Sequence, residues 1–425
     1  MIEILKRLWQ TKEVRNNILF VLAMLIIFRL GAHIPLPGLD TAALRSLVSG
    51  NQILGLLNLF SGGGLENFSV FLLGVGPYIT ASIIIQLLTL IVPSLEALSK
   101  EGEYGQKKIN QYMRLLTVPL AVLQGYAFLT FLARSSPLGA SVELTGTVLL
   151  FSIITVTAGT MFLVWLGELI SERKVGNGLS LIIFAGIVVS YPQYIQRTIA
   201  TFTPDQLLSV LGYVVLVVLM FAGVVYLTEA QRNVPISYAR QVRGNRMYGG
   251  ASTHLPLRVN QAGMIPIIFA LSFMLFPPLI AQFLVTGTPQ WVSTIAATVM
   301  RLFQTSVFYD IFYFILVVAF TYFYTAIVFH PVQIAENLQK QGAFVPGIRP
   351  GASTAHYLGA VSNRIMLAGS LSLGVIAILP SIMRYATGVQ TIVISGASLL
   401  IVVAVVIETV KQIQAQIQMR DYGQL

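Results

Sequence analysis

Long, nearly uncharged apolar runs recur from one end of this chain to the other, and no other feature limits its fold so sharply. A helix needs about 20 mostly apolar residues to cross a bilayer. Ten runs qualify: roughly 18–36, 68–92, 113–133, 146–168, 178–192, 208–228, 262–284, 307–328, 362–383 and 390–410, the fifth close to the lower limit. Their continuity, without period-two alternation, points to helices rather than to a barrel. Only 10% of the 425 residues are charged and 56% are hydrophobic, whereas a soluble domain carries about 25% charge. The expected class is an all-α integral membrane protein with ten transmembrane helices. The first run lacks a small-residue cleavage site after it, so no cleavable signal is expected. Absence of cysteine excludes disulfides and thiolate metal sites.

Basic residues set the expected orientation. With the N-terminus inside, 20 of the 26 Lys and Arg fall on the inner side and six (Arg29, Arg45, Arg134, Arg197, Arg301, Arg384) at or near the outer side. Positive charge collects in cytoplasmic loops, so both termini are expected in the cytoplasm. Ile2, Leu5, Leu8 and Trp9 share one face of the N-tail, as in a helix lying along the interface. Ten spans divide into five and five. An odd number per half means that structural repeats would run in opposite directions. The expected halves are residues 1–191 and 207–425, joined outside by 192–206, which carries Pro192 and Pro204.

Ionisable residues keep away from span centres; Glu168, Glu408 and Arg384 fall near ends, and His33, His254, His330 and His356 lie in loops or at span ends. Ion-coupled transporters bury such groups at mid-membrane. No HExxH, G-x-S-x-G or Walker A pattern occurs, so catalysis has no support. In the second span Gly74, Gly76 and Pro77 loosen the first turns, Ser82, Gln86 and Thr89 form one polar stripe, and Ile79 and Ile83 lie beside it. Such a stripe faces protein or water, and ordinary helix–helix hydrogen bonding would explain it too. The seventh span is expected to kink at Pro266 and break at Pro277–Pro278, with Ser272 as its lone central polar side chain. Ahead of the second span, ILGLLNLFSGGG (53–64) is too short to cross and reads as a re-entrant or surface helix with a flexible glycine break.

Two long inner loops carry charge. Residues 228–260 alternate in two strand-like runs around Arg243-Gly244-Asn245-Arg246, a hairpin signature, and 330–351 ends in a Pro/Gly-rich tip with Arg349. These arginines either fix topology alone or meet an anionic partner such as rRNA, lipid or an acidic protein face.

LLGVGPYITASIIIQLL (72–88), WLGELISERKVGNGLSLIIFAGIV (165–188), STHLPLRVNQAGMIPIIFA (252–270) and FVPGIRPG (344–351) resemble, in order, signature stretches of the SecY/translocon-α family of bacterial and eukaryotic membranes. One departure is ERKVGNG (172–178), where many relatives read closer to RGIGNG. The resemblance implies two pseudo-symmetric, inverted five-helix halves around an hourglass pore, in a multi-pass protein of the bacterial inner membrane. It implies a polypeptide channel driven by the SecA ATPase or the ribosome, with SecE and SecG as partner subunits and no cofactor. Signal sequences, nascent chains, preproteins and lipid would be its ligands, and a back-to-back oligomer is possible. By the same resemblance Ile79, Ile83, Ile183, Ile187, Ile268 and Ile401 would form a pore ring. Leu54, Leu56, Leu57, Asn58, Phe60, Ser61, Gly62, Gly63 and Gly64 would belong to a displaceable plug, held by weak apolar contacts. Ser82, Gln86, Thr89 and Ser272 would line a lateral gate, and Arg240, Arg243, Arg246, Arg258 and Arg349 would dock partners. Without the family, the isoleucines read as packing. A secondary transporter of a small solute is the competing function, because broken helices and inverted halves suit it as well.

Overall fold

The computed structural model describes residues 11–36, 58, 61–65, 67–135, 146–200, 204, 207–238, 241–243, 246–248, 252–285, 289–387 and 396–423. Helices occupy all ten apolar runs. They are α1 (Lys12–Gly31), α2 (Gly76–Ile91), α4 (Glu103–Ser135), α5 (Gly146–Glu172) and α6 (Gly178–Ala200), then α7 (Leu207–Glu229), α8 (Ile265–Val285), α10 (Ser306–Val328), α12 (Ala352–Thr387) and α13 (Gly396–Gly423). Among the described residues, three further helices are α3 (Pro93–Lys100), α9 (Gln290–Gln304) and α11 (Pro331–Lys340). Of the N-tail expected at the interface, residues 1–10, with Ile2, Leu5, Leu8 and Trp9, lie outside the described residues, and residues 12–17 belong to α1.

Among the described residues, seven helical segments are long and apolar enough to cross a membrane alone, and α2 with α3 passes as a pair bent by 101°. The other two runs are short apolar stretches, Gly178–Pro192 in α6 and Ile265–Pro278 in α8. The short helices are interior ones. Ile182, Ile183 and Ile187 of α6, and Ile267, Ile268 and Ala270 of α8, are almost wholly buried.

Several expected boundaries move. The second helix does not begin at 68: residues 67–75 form turns, with Phe68 at φ 45° and Gly74 at φ 55°. These turns are tied to the end of α1, since Leu36 N donates to Phe68 O (2.8 Å) and Val70 N to Ile34 O (3.0 Å). Pro266 stands at the start of α8, where a missing N–H costs nothing. Pro277 and Pro278 lie inside α8 instead of ending it, as membrane helices allow when neighbours satisfy the freed carbonyls. Helix α6 likewise continues through Pro192 to Ala200, so half of the expected joint is helical.

Within the first half, α4 packs on α2 and α5, and α5 on α1 and α6; within the second, α12 packs on α7, α10 and α13. The halves meet along two seams. At one, α8 touches α2 and α4; at the other, α13 touches α6 and α1.

The first long loop folds as the patterning predicts and recruits the second. Strands β1 (Gln231–Tyr238) and β4 (Ser252–Arg258) pair antiparallel from Gln231↔Arg258 to Ser237↔Ser252. Between them, β2 (Gln241–Arg243) and β3 (Arg246–Tyr248) pair with Arg243 opposite Arg246. From the other loop, β5 (Ala343–Phe344) adds to the free edge of β1. A small core of Val234, Leu257, Val345, Leu358 and Val361 holds the two loops together.

Candidate functional site

Ile79 and Ile83 stand one turn apart on α2, and Ile183 and Ile187 one turn apart on α6, so each pair shares a helix face. Ile268 comes from α8 and Ile401 from α13. No member of the six is more than 6% exposed, and all belong to one continuous apolar core. The four helices that supply them are four of those that make the two seams. The isoleucines therefore come from both halves, where the halves join.

The polar stripe is largely satisfied within its own helix. Ser82 Oγ donates to Ile79 O (2.8 Å) and Thr89 Oγ1 to Gln86 O (2.7 Å). Among the described residues, Gln86 Oε1 on α2 and Ser272 Oγ on α8 are buried without a hydrogen-bond partner, each on a helix that helps form this seam. A buried polar group left unpaired costs about 1–3 kcal/mol, so packing at these two positions is less stable than it would be with apolar side chains. Gln124 Nε2 of α4 donates to Thr80 Oγ1 (3.4 Å), linking the two helices that face α8.

Of the expected plug, Leu54, Leu56, Leu57 and Phe60 lie outside the described residues. Asn58 and Ser61–Gly64 are described, and they correct the picture of a loose glycine break. Residues 61–65 are buried, and Ser61 itself is fully enclosed. The turn is knit by Gly63 N to Asn58 O (3.0 Å), Leu65 N to Ser61 Oγ (2.9 Å) and Ser69 N to Gly64 O (2.9 Å). From α1, Arg29 Nη1 donates to Gly62 O (3.3 Å). Gly62 adopts φ 62°, and a β-carbon there would lie 2.3 Å from Phe28 Cζ. Glycine is thus required by backbone sign and by space, not by flexibility.

Gly186 of α6, between Ile183 and Ile187, was not picked out by sequence reasoning. Its own β-carbon would lie 2.1 Å from Gly62 Cα. The available signal was an isolated glycine inside an apolar helix, which usually marks close approach. Asp310, near the start of α10, was also missed; among the described residues it is the one buried charged side chain, at 8% exposure.

Arg258 and Arg349 are exposed, on β4 and on the tip after β5. They share the small two-loop unit, and the Arg349 carbonyl accepts the Thr354 hydroxyl (2.9 Å). Arg243 and Arg246 are placed by backbone register alone, and Arg240 lies outside the described residues.

A family model described as SecY matches residues 69–410. The "Protein translocase subunit SecY" of Streptomyces galbus is 44% identical, with 99% of each chain covered. That of Corynebacterium glutamicum is 42% identical over 96% of each chain. Among solved structures, "The structure of a protein conducting channel" aligns at TM-score 0.60 and 17% identity, covering 93% of this chain and 91% of the other. Sec61 in the canine ribosome–channel complex aligns at TM-score 0.56 and 16% identity over 93% and 91%. On its full-length likeness to these translocase subunits, the chain belongs to the SecY family.

Proposed function

We propose that the chain is a passive protein-conducting channel, sealed at rest by its own side chains and opened by a partner and a passing polypeptide. One observation carries this reading: six buried isoleucines lie on seam-forming helices of both halves. An aliphatic constriction can dewet to block ions, yet it deforms around a chain and binds no sequence strongly. The α2/α4–α8 seam, with its unpaired Gln86 and Ser272 atoms, serves as the lateral exit to lipid. Sorting there needs no chemistry: at mid-membrane each Leu or Phe favours lipid by about 0.3–0.6 kcal/mol, and each Lys or Asp opposes it by about 3. Residues around Gly62 form the displaceable seal. Residues 1–191 and 207–425 act as the two moving halves.

The face bearing the sheet is cytoplasmic on this reading, as are both termini, in a bacterial inner membrane. Its exposed arginines meet SecA or the ribosome, which supply the driving energy, while SecE and SecG complete the complex. A secondary transporter is not supported, since the family is one of translocase subunits. The test is reconstitution of the chain with SecE and SecG in proteoliposomes, with SecA, ATP and a labelled preprotein. Protease-protected preprotein dependent on ATP is expected. Its absence, together with ion-gradient-driven uptake of a small solute, would reject the channel.

A further inference from the structure

Helix α9 fills the connection between α8 and α10, on the face of the molecule opposite the sheet, and has no part in the channel described above. Its inner side is built into the protein. Ala296 is 2% exposed and Phe303 6%, and the Phe303 ring lies 5.5 Å from both Phe308 and Phe312 of α10. Its outer side is the unusual one. Trp291, Ile295 and Leu302 follow one line along the helix and are 69%, 58% and 40% exposed. The polar groups beside them are muted: Thr294 and Thr298 hydroxyls donate back to the carbonyls of Gln290 and Thr294. Arg301 is exposed at the edge of the same side.

Water is a poor occupant for that stripe, and continuity says what replaces it. Phe273, Ile280 and Leu284 make an exposed apolar line on α8, and Val307, Ile311 and Ile315 make one on α10. In a multi-pass membrane protein such lines face lipid. Both lead to the two ends of α9. A helix with Trp, Ile and Leu on its outer side and Arg at the border matches the headgroup–acyl boundary, where indole rings concentrate and cations meet phosphodiesters. We propose that α9 is a membrane-surface anchor, seated in the lipid interface of the leaflet opposite the sheet, and that it holds the end of seam helix α8 at fixed depth while the seam works.

The chain has no native cysteine, so Trp291→Cys, Ile295→Cys and Leu302→Cys can each carry an environment-sensitive fluorophore in full-length protein reconstituted in phosphatidylcholine/phosphatidylglycerol vesicles. Thr253→Cys, exposed on β4, is the aqueous reference. The expected result is severalfold stronger quenching by a shallow spin-labelled lipid at 291, 295 and 302 than at 253, with several-fold weaker quenching by iodide. Iodide access equal to that at 253 would overturn the proposal. So would shielding from both quenchers, which would mean that protein covers the stripe. A label-free check uses Trp9→Phe with Trp165→Phe, leaving Trp291 as the single tryptophan; shallow brominated lipid should quench it, and failure to do so would count equally against the anchor.

Discussion

Gly186 presses its backbone against Gly62: a β-carbon added at position 186 would fall 2.1 Å from the Gly62 α-carbon. The contact joins the transmembrane helix carrying Ile183 and Ile187 to the turn that precedes the second apolar run. Any side chain larger than hydrogen at position 186 would collide with the Gly62 backbone. Overpacking of this kind costs about 1–3 kcal/mol, and here the cost is relieved when the turn moves away. Gly186→Val should therefore raise the fraction of unsealed channels about fivefold to a hundredfold, read as resting ion conductance in planar bilayers. Gly212→Val, at a glycine with nothing within 4 Å, should leave conductance unchanged. Equal behaviour of the two variants would remove the contact from the seal.

The isoleucines make a second, separable prediction. Replacing Ile83, Ile187 and Ile268 together with Asn puts hydrogen-bonding groups into the continuous apolar core to which all six isoleucines belong. Water then has partners in the constriction and dewetting fails. Resting conductance should rise while insertion of the protein into the membrane persists. Unchanged conductance would return these residues to the status of ordinary packing.

At the α2–α8 seam the prediction runs toward tighter closure. Gln86 Oε1 and Ser272 Oγ are buried without partners, so Ser272→Val or Gln86→Leu should stabilise the closed seam by about 1–3 kcal/mol. Export of a reporter behind a weakened signal sequence should drop, while a strongly hydrophobic signal should be affected less. Improved export of the weak signal would contradict the role given to these two atoms.

The span pattern, the hairpin and the exposed arginines were legible because each rests on local periodicity. Alternation around Arg243 and Arg246 foretold β2 and β3; nothing local could foretell β5, because Ala343–Phe344 becomes a strand only by pairing with Ser237–Tyr238. The glycines at 62–64 were visible, but their meaning was not. Flexibility is a property of the segment, whereas the need for glycine at 62 comes from its own positive φ and from Phe28, far away in sequence. Helix α9 escaped because its apolar residues are split between an inner and an outer face and broken by Ser293, Thr294, Thr298 and Arg301, so no continuous run forms. Pro277 and Pro278 were read as a stop because in water they would be; inside a bundle the neighbouring helices decide.

Arg349 offers a clean test of partner docking, because the loop around it is held by its carbonyl and not by its side chain. Arg349→Glu should therefore keep the fold of the two-loop unit while reversing an exposed charge. SecA-driven export should fall, with membrane insertion and detergent-solubilised stability unchanged. Full export by this variant would reject the residue as a docking contact.

Lys174 sits at φ 56°, in the left-handed region that side-chain-bearing residues avoid. It lies within the ERKVGNG stretch (172–178). The turn that forces this geometry joins α5 to α6, and it is clamped from the second half: Gln416 Nε2 of α13 donates to Lys174 O (2.7 Å) and Arg173 O (3.3 Å). Next to it the Arg173 guanidinium lies 4.3 Å over the Phe20 ring of α1. The side chain at 174 is exposed and the carbonyl is what the clamp uses. Lys174→Gly should accordingly keep the clamp and relieve about 1–2 kcal/mol of left-handed strain. The greater freedom of glycine in the unfolded chain offsets about 0.5–1 kcal/mol of that. A small rise in the thermal unfolding temperature of the detergent-solubilised protein is expected. Lys174→Val, which brings a branched side chain to the same backbone, should lower it. If both variants shift stability in the same direction, backbone sign is not what governs this turn.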